Sequence, residues 1–260
     1  MTGASRRLAL FLLLLTCGFG PLTSDDAGQL AWQTAPGARL PLNTELLDEA
    51  GHPVLLRRMF GERPVVLDLG YYHCPSLCGV VRADLLNALK PSGLIGGRDY
   101  TLAVLSIDPA ETPRDAAEAK AADLARTPEA TGEGWHYLTG SWEAISAIES
   151  AIGFRARYDP SLRQFLHPAG LAVIASDGVV SGYLLGVGYS GEDLRQAVAR
   201  ARDGDIARSV EPVLLLCFHF DPTTGRYTLA IEKVLRLMGL LTVATLGGLM
   251  ILMHRRWPGA

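Results

Sequence analysis

Residues 64–89 read PVVLDLGYYHCPSLCGVVRADLLNAL, and the architecture can be worked outward from there. Pro64 to Leu69 is a short apolar run rich in β-branched residues, the pattern of a buried strand. Cys74 follows at once. Ser76 to Leu89 is predicted as a helix, because Val80, Val81, Leu85, Leu86 and Leu89 fall near helical spacing. A C-x3-C pair, Cys74 and Cys78, therefore sits where a strand hands over to a helix.

Upstream, Leu40 to Phe60 predicts a small hairpin turning at Glu49-Ala50-Gly51-His52. Downstream, Thr101 to Ile107 is a second buried strand, and Asp108-Pro109 turns the chain. Pro113 is placed early in a helix running to about Arg126. Trp135 to Leu138 is a third strand, and Ser141 is positioned to cap a helix ending at Ile152. Leu171 to Ala175 is a fourth strand, with Asp177-Gly178 as a hairpin turn returning through Val179 to Leu185. Ser190 caps a last helix to about Arg202. This order predicts an α/β domain. With the cysteine pair at the first strand-to-helix junction, the expected class is a thioredoxin-like three-layer fold with added hairpins.

The chain has 260 residues, 48% of them hydrophobic, and a formal charge of −3. That balance gives no electrostatic footprint for nucleic acid. The surplus apolar residues lie at the two ends. Arg6-Arg7 precede a short apolar run, Leu8 to Phe19, in the manner of a signal peptide. Leu237 to Met253 is unbroken apolar sequence, near the lower length limit of a spanning helix, which needs about 20 residues. The expected organisation is a signal peptide over 1–24, a linker over 25–39, the core domain over 40–205 and an extension over 206–234. A transmembrane helix over 235–253 and a cytoplasmic tail over 254–260 follow. Export with one C-terminal span predicts a domain on the periplasmic side of the cell inner membrane. Of the four cysteines, Cys17 leaves with the signal, which leaves Cys74, Cys78 and Cys217.

Two thiolates at a helix start are favoured by the positive end of the helix and form a soft chelate. Soft sulfur selects Cu(I), zinc or iron–sulfur centres, but a structural zinc site needs four ligands and no second pair exists. Two thiolates and one imidazole suit Cu(I) and tolerate Cu(II). The same pair can cycle between dithiol and disulfide without metal. His167, just ahead of the fourth strand, is the candidate third ligand, on a loop that such a fold turns towards the cysteine helix. His73 ends the first strand beside Cys74, while His52 and His136 read as surface or packing residues. Asp108 and Asp115 read as turn and helix-start carboxylates.

These residues together resemble the Sco/SenC family. Tyr71-Tyr72-His73-Cys74-Pro75-Ser76-Leu77-Cys78 is similar to its copper motif, and Ser106-Ile107-Asp108-Pro109 with Pro113-Arg114-Asp115 to its next strand and helix start. Trp135-His136-Tyr137-Leu138-Thr139-Gly140 is similar to its third-strand segment. The resemblance spans about residues 40–202. It implies copper held by Cys74, Cys78 and His167, and assistance in building the binuclear copper centre of cytochrome c oxidase, with the copper-centre subunit as partner. Gly79 stands where the family often has proline, and Gln164-Phe165-Leu166 precede His167 where many members carry an acidic residue.

Other functions are open to the same residues. Cys74 and Cys78 could serve as the redox pair of a thiol:disulfide reductase acting on oxidase cysteines, and Cys74 alone as a peroxidatic thiol. A structural accessory role in the oxidase is a further reading. Gly186-Val187-Gly188-Tyr189-Ser190-Gly191 matches a dinucleotide fingerprint, but its strand is the second arm of a hairpin. Cys217, His219 and Asp221 alternate with Phe218 and Phe220, so on a strand the first three would share one face.

Overall fold

The computed structural model describes residues 32–73, 78–160, 163–207, 238–242, 245 and 247, with Cys78 described by its backbone alone. Cys74, the signal segment and the Cys217-His219-Asp221 strand lie outside the described residues. So do most of the extension and the tail. Of the predicted span, residues 238–242, 245 and 247 are helical, and no helix among the described residues is long and apolar enough to cross a membrane.

The first hairpin pairs β1 (Glu45–Leu47) with β2 (Pro53–Leu55) across the expected turn. The motif strand is β3 (Val65–Gly70), and the motif helix is α1 (Cys78–Ser92). There follow β4 (Thr101–Ser106), α2 (Pro113–Arg126), β5 (Trp135–Leu138) and α3 (Trp142–Ile152). A hairpin of β6 (Arg157–Asp159) and β7 (Gln164–Leu166) comes next. The chain then forms β8 (Gly170–Ile174), β9 (Val180–Leu185) and α4 (Gly191–Arg202).

Five strands build the central sheet in the order β5-β4-β3-β8-β9. β3, β4 and β5 run parallel, because each connection crosses over through a helix, whereas β8 and β9 return antiparallel around Asp177-Gly178. Successive β3 residues face opposite ways. Val65, Leu67 and Leu69 pack with Ile145, Ile148 and Ile152 of α3, and Val66 packs with Val81 and Leu85 of α1 and Leu194 of α4. The result is three layers, helix on sheet on helix, as the sequence pattern predicts. α1 extends three residues past the predicted Leu89 and carries Pro91 in its last turn. Val80 is the one member of the predicted apolar stripe that is left exposed.

The helix ends obey local chemistry. Thr112 and Asp115 form a capping box at the start of α2, Ser141 Oγ accepts from Ala144 N, and Ser190 pairs with Asp193 at the start of α4. Gly153 ends α3 in the left-handed conformation at φ 69°. A Cβ there would collide with the backbone of Gln33, whose N–H donates to Gly153 O at 2.8 Å.

A buried charge cluster joins three of these elements. Asp123 of α2 is fully buried, with Arg82 Nε of α1 at 2.6 Å and the Tyr137 hydroxyl of β5 donating to it at 2.6 Å. Arg126 pairs with its other oxygen. Asp68 of β3 lies close enough to feel Arg82 and Asp123 electrostatically, and burial pushes its carboxyl up to about 6. The helix that carries Cys78 is thus pinned to α2 and the sheet by ionic contacts as well as by apolar packing.

Candidate metal centre

The chain enters the motif at the end of the sheet where β3 and β4 finish. Pairing runs to Gly70 opposite Ser106, and Ile107 N adds a last bond to Gly70 O at 2.8 Å. Beyond it the chain leaves the sheet as Tyr71-Tyr72-His73. Tyr71 is buried, and the Tyr72 hydroxyl donates to Val104 O and Leu138 O at 3.1 and 2.8 Å. The carboxylate of Glu111 accepts the N–H groups of Tyr72 (2.8 Å) and His73 (2.7 Å) and the hydroxyl of Ser106 (2.5 Å). Glu111 was not among the residues singled out from the sequence. Its only sequence signal is an acidic residue shortly after Asp108-Pro109, which a surface loop explains equally well.

Cys78 is the first residue of α1, and no acidic residue occupies that helix's first turn. Nothing there offsets the positive helix end, which favours thiolate. Cys74 lies four residues earlier, outside the described residues.

His167 is buried, at 3% exposure, between β7 and β8. The β3–β8 pairing, Asp68 opposite Leu171, carries it to the motif end of the sheet. Its ring meets Tyr71 edge-on at a centroid distance of 6.2 Å and Phe154 at 5.6 Å. Phe165 of β7 packs on Tyr71 at 5.9 Å, so the β6–β7 hairpin, absent from the sequence reading, helps to enclose the histidine. Burial pushes the imidazole down to about 4. Nδ1 lies 3.0 Å from Pro168 O. A carbonyl only accepts, so Nδ1 carries the proton and Nε2 the lone pair of the neutral ring, the form that ligates metals. The donor chemistry of two thiols and a neutral, apolar-shielded imidazole fits a soft cation.

The remaining candidates take structural places. His73 is 65% exposed in its side chain, with Nδ1 3.2 Å from Glu111 Oε1 and Nε2 3.7 Å from Asp115 Oδ1. Asp108 Oδ1 accepts Ala110 N at 2.9 Å, a local turn contact, and Asp115 closes the α2 capping box. His52 is exposed beside Asp48, and His136 is half-buried in β5. Among the described residues no group of three or more His, Cys, Asp or Glu is arranged to hold a metal ion. In the glycine-rich turn, Gly186 and Gly188 adopt positive φ, and Gly188 N donates to Asp84 Oδ2 at 2.7 Å. Glu192 and Asp193 fill the first turn of α4 and oppose a phosphate there. A cavity of about 330 Å³ bounded by Leu89, Ile95, Tyr100 and Trp135 opens at the opposite end of the sheet, away from the motif.

Other proteins of solved structure share this fold. A candidate electron transfer protein of Aquifex aeolicus VF5 superposes with a TM-score of 0.58 at 24% identity, over 66% of this chain and 96% of its own. Arabidopsis thaliana ScoI with copper bound gives 0.52 at 18% identity, over 65% and 99%. A SCO1/SenC family lipoprotein of Bacillus anthracis str. Ames gives 0.52 at 20% identity, over 64% and 95%. These likenesses establish the shared fold. No curated protein sequence gives a significant match. The SCO1/SenC family model matches residues 35–202, which take in the central sheet, all four helices described above and the cysteine motif, and the chain therefore belongs to the SCO1/SenC family.

Proposed function

We propose that this chain is a membrane-tethered copper chaperone that assists assembly of the binuclear copper centre of cytochrome c oxidase. Copper is its cargo, taken by Cys74, Cys78 and His167. The observation that carries the reading is His167, a neutral imidazole with its lone pair on Nε2, held against Tyr71 just ahead of the cysteine pair. The shared fold of a relative solved with copper bound supports it. The thiolates supply soft donors for Cu(I), and the imidazole adds the nitrogen that Cu(II) prefers. Tyr71, Phe154 and Phe165 keep water from the imidazole side. The domain works on the periplasmic face, anchored by residues 235–253, with the copper-centre subunit of the oxidase as recipient.

The test is anaerobic copper titration of the full chain. One ion per chain, lost in Cys78→Ser, is expected; unchanged uptake in that variant overturns the proposal. The helix start free of acidic residues also favours a second reading, a thiol:disulfide reductase that acts on oxidase cysteines without carrying copper. Turnover of a disulfide substrate by protein that takes up no copper would select it.

A further inference from the structure

We infer that Glu111 is a positioning residue for the cysteine motif. The inference rests on the reading of Cys74 as the reactive or copper-binding thiol. The sheet stops supporting the motif strand at Gly70, where the β3–β4 ladder ends. From Tyr71 onward the backbone has left the ladder, and its N–H groups need other acceptors. The Glu111 carboxylate supplies them. Oε2 takes Tyr72 N at 2.8 Å and Oε1 takes His73 N at 2.7 Å, the two N–H groups directly ahead of Cys74. Bonds of this kind, with a charged acceptor, are about twice as strong as neutral ones.

Glu111 is itself fixed. Its side chain is only 5% exposed. Ser106 Oγ donates to Oε2 at 2.5 Å, and Ser106 is the last residue of β4. Glu111 N donates to Asp108 O at 3.1 Å, while Asp108 N donates to Ser106 Oγ at 3.1 Å. Nδ1 of the exposed His73 ring lies 3.2 Å from Oε1. The carboxylate therefore carries the rigidity of the β4 end across to the backbone that enters the motif. A loop residue with only a turn to form would not bury a carboxylate on three donors from two other segments.

The consequence is functional. Cys74 follows directly in sequence on the Tyr72–His73 backbone that Glu111 holds, so loosening that anchor alters the presentation of the thiol. The experiment compares the full chain with Glu111→Gln, which keeps the shape, and Glu111→Ala. Cu(I) affinity by competition with a chromophoric chelator should fall roughly 10–100-fold, the range for residues that orient metal ligands. The midpoint potential of the Cys74–Cys78 couple should move by about 30 mV or more, a tenfold change in its exchange constant. Amide exchange at Tyr72 and His73 should accelerate while β4 stays protected. Wild-type affinity, potential and amide protection in Glu111→Gln overturn the inference. If Glu111→Ala does not fold, Glu111→Gln decides alone. If the unaltered protein binds no copper, the chaperone reading falls by itself, and the potential and amide exchange still decide the role of Glu111.

Discussion

Replacing Asp68 by Asn should stabilise this protein at neutral pH, against the usual expectation for removing a charge beside an arginine. Asp68 is 3% exposed in the middle of β3. Loss of hydration is the largest influence on its carboxyl; Arg82 opposes it and Asp123 adds to it, and the outcome is about 6 in place of 3.8. At 1.36 kcal/mol per pH unit, that difference corresponds to roughly 3 kcal/mol against the ionised form. The sign follows from linkage. Below pH 3.8 folded and unfolded chains are both protonated at this site. Between 3.8 and about 6 the unfolded chain ionises first, so stability falls as pH rises through that window and then levels off. Asparagine resembles the protonated acid and cannot ionise. The variant should match the parent near pH 4 and exceed it above pH 6 by up to about 3 kcal/mol, or roughly 6–12 °C in Tm for a domain of this size. Urea unfolding followed by tryptophan fluorescence at pH 4, 5, 6 and 7.5 measures the difference between the two proteins. The buried Glu149, pushed up to about 7, titrates in both and cancels. A variant less stable than the parent at pH 7.5, with no gain of the variant over the parent between pH 4 and 6, would show that the Asp68–Arg82 attraction outweighs burial and would refute the reasoning.

Other changes test other parts of the argument. Gly153→Ala combines a left-handed φ with a collision against Gln33 and should cost well over the roughly 1 kcal/mol of an ordinary left-handed alanine, read as a drop in urea midpoint. Ser141→Ala removes the acceptor for Ala144 N and should cost about 1 kcal/mol by the same assay. His167→Asn should weaken Cu(II) binding by more than tenfold while Cu(I) binding changes little, because thiolates dominate the reduced ion; equal losses in both states, measured by titration, would count against the assigned division of labour. A reporter that works only in the cytoplasm should be active when fused after Ala260, and activity of a periplasm-only reporter there would reverse the proposed topology.

The elements that could be read from the sequence were those governed by neighbours in the chain. β5 and α3 have the predicted boundaries because a capping serine, an apolar period and a closing glycine act within a few residues. α2 likewise spans Pro113–Arg126 as expected, with its capping box and early proline. The β6–β7 hairpin was not legible: its strands are three residues each, too short for alternation to stand out, and they are held by packing around Tyr71 and Phe154. His167 was legible as a candidate from its place ahead of β8, but nothing local indicated that its ring would be buried.

The sequence by itself determined the order of the central-sheet strands and of the helices, the C-x3-C pair at the first strand-to-helix junction, and the family to which the chain belongs. Each depends on residue type and spacing along the chain. Only the tertiary structure decided what surrounds those residues. The antiparallel insertion of β8 beside β3 put His167 against Tyr71 and kept its imidazole neutral. The parallel seat of β4 brought Glu111 to the backbone ahead of Cys74. The packing of α1 on α2 set Arg82 against Asp123 and within electrostatic reach of Asp68. Burial, pairing and electrostatic shift are properties of neighbours in space, and those neighbours come from strands that the chain order alone does not place side by side.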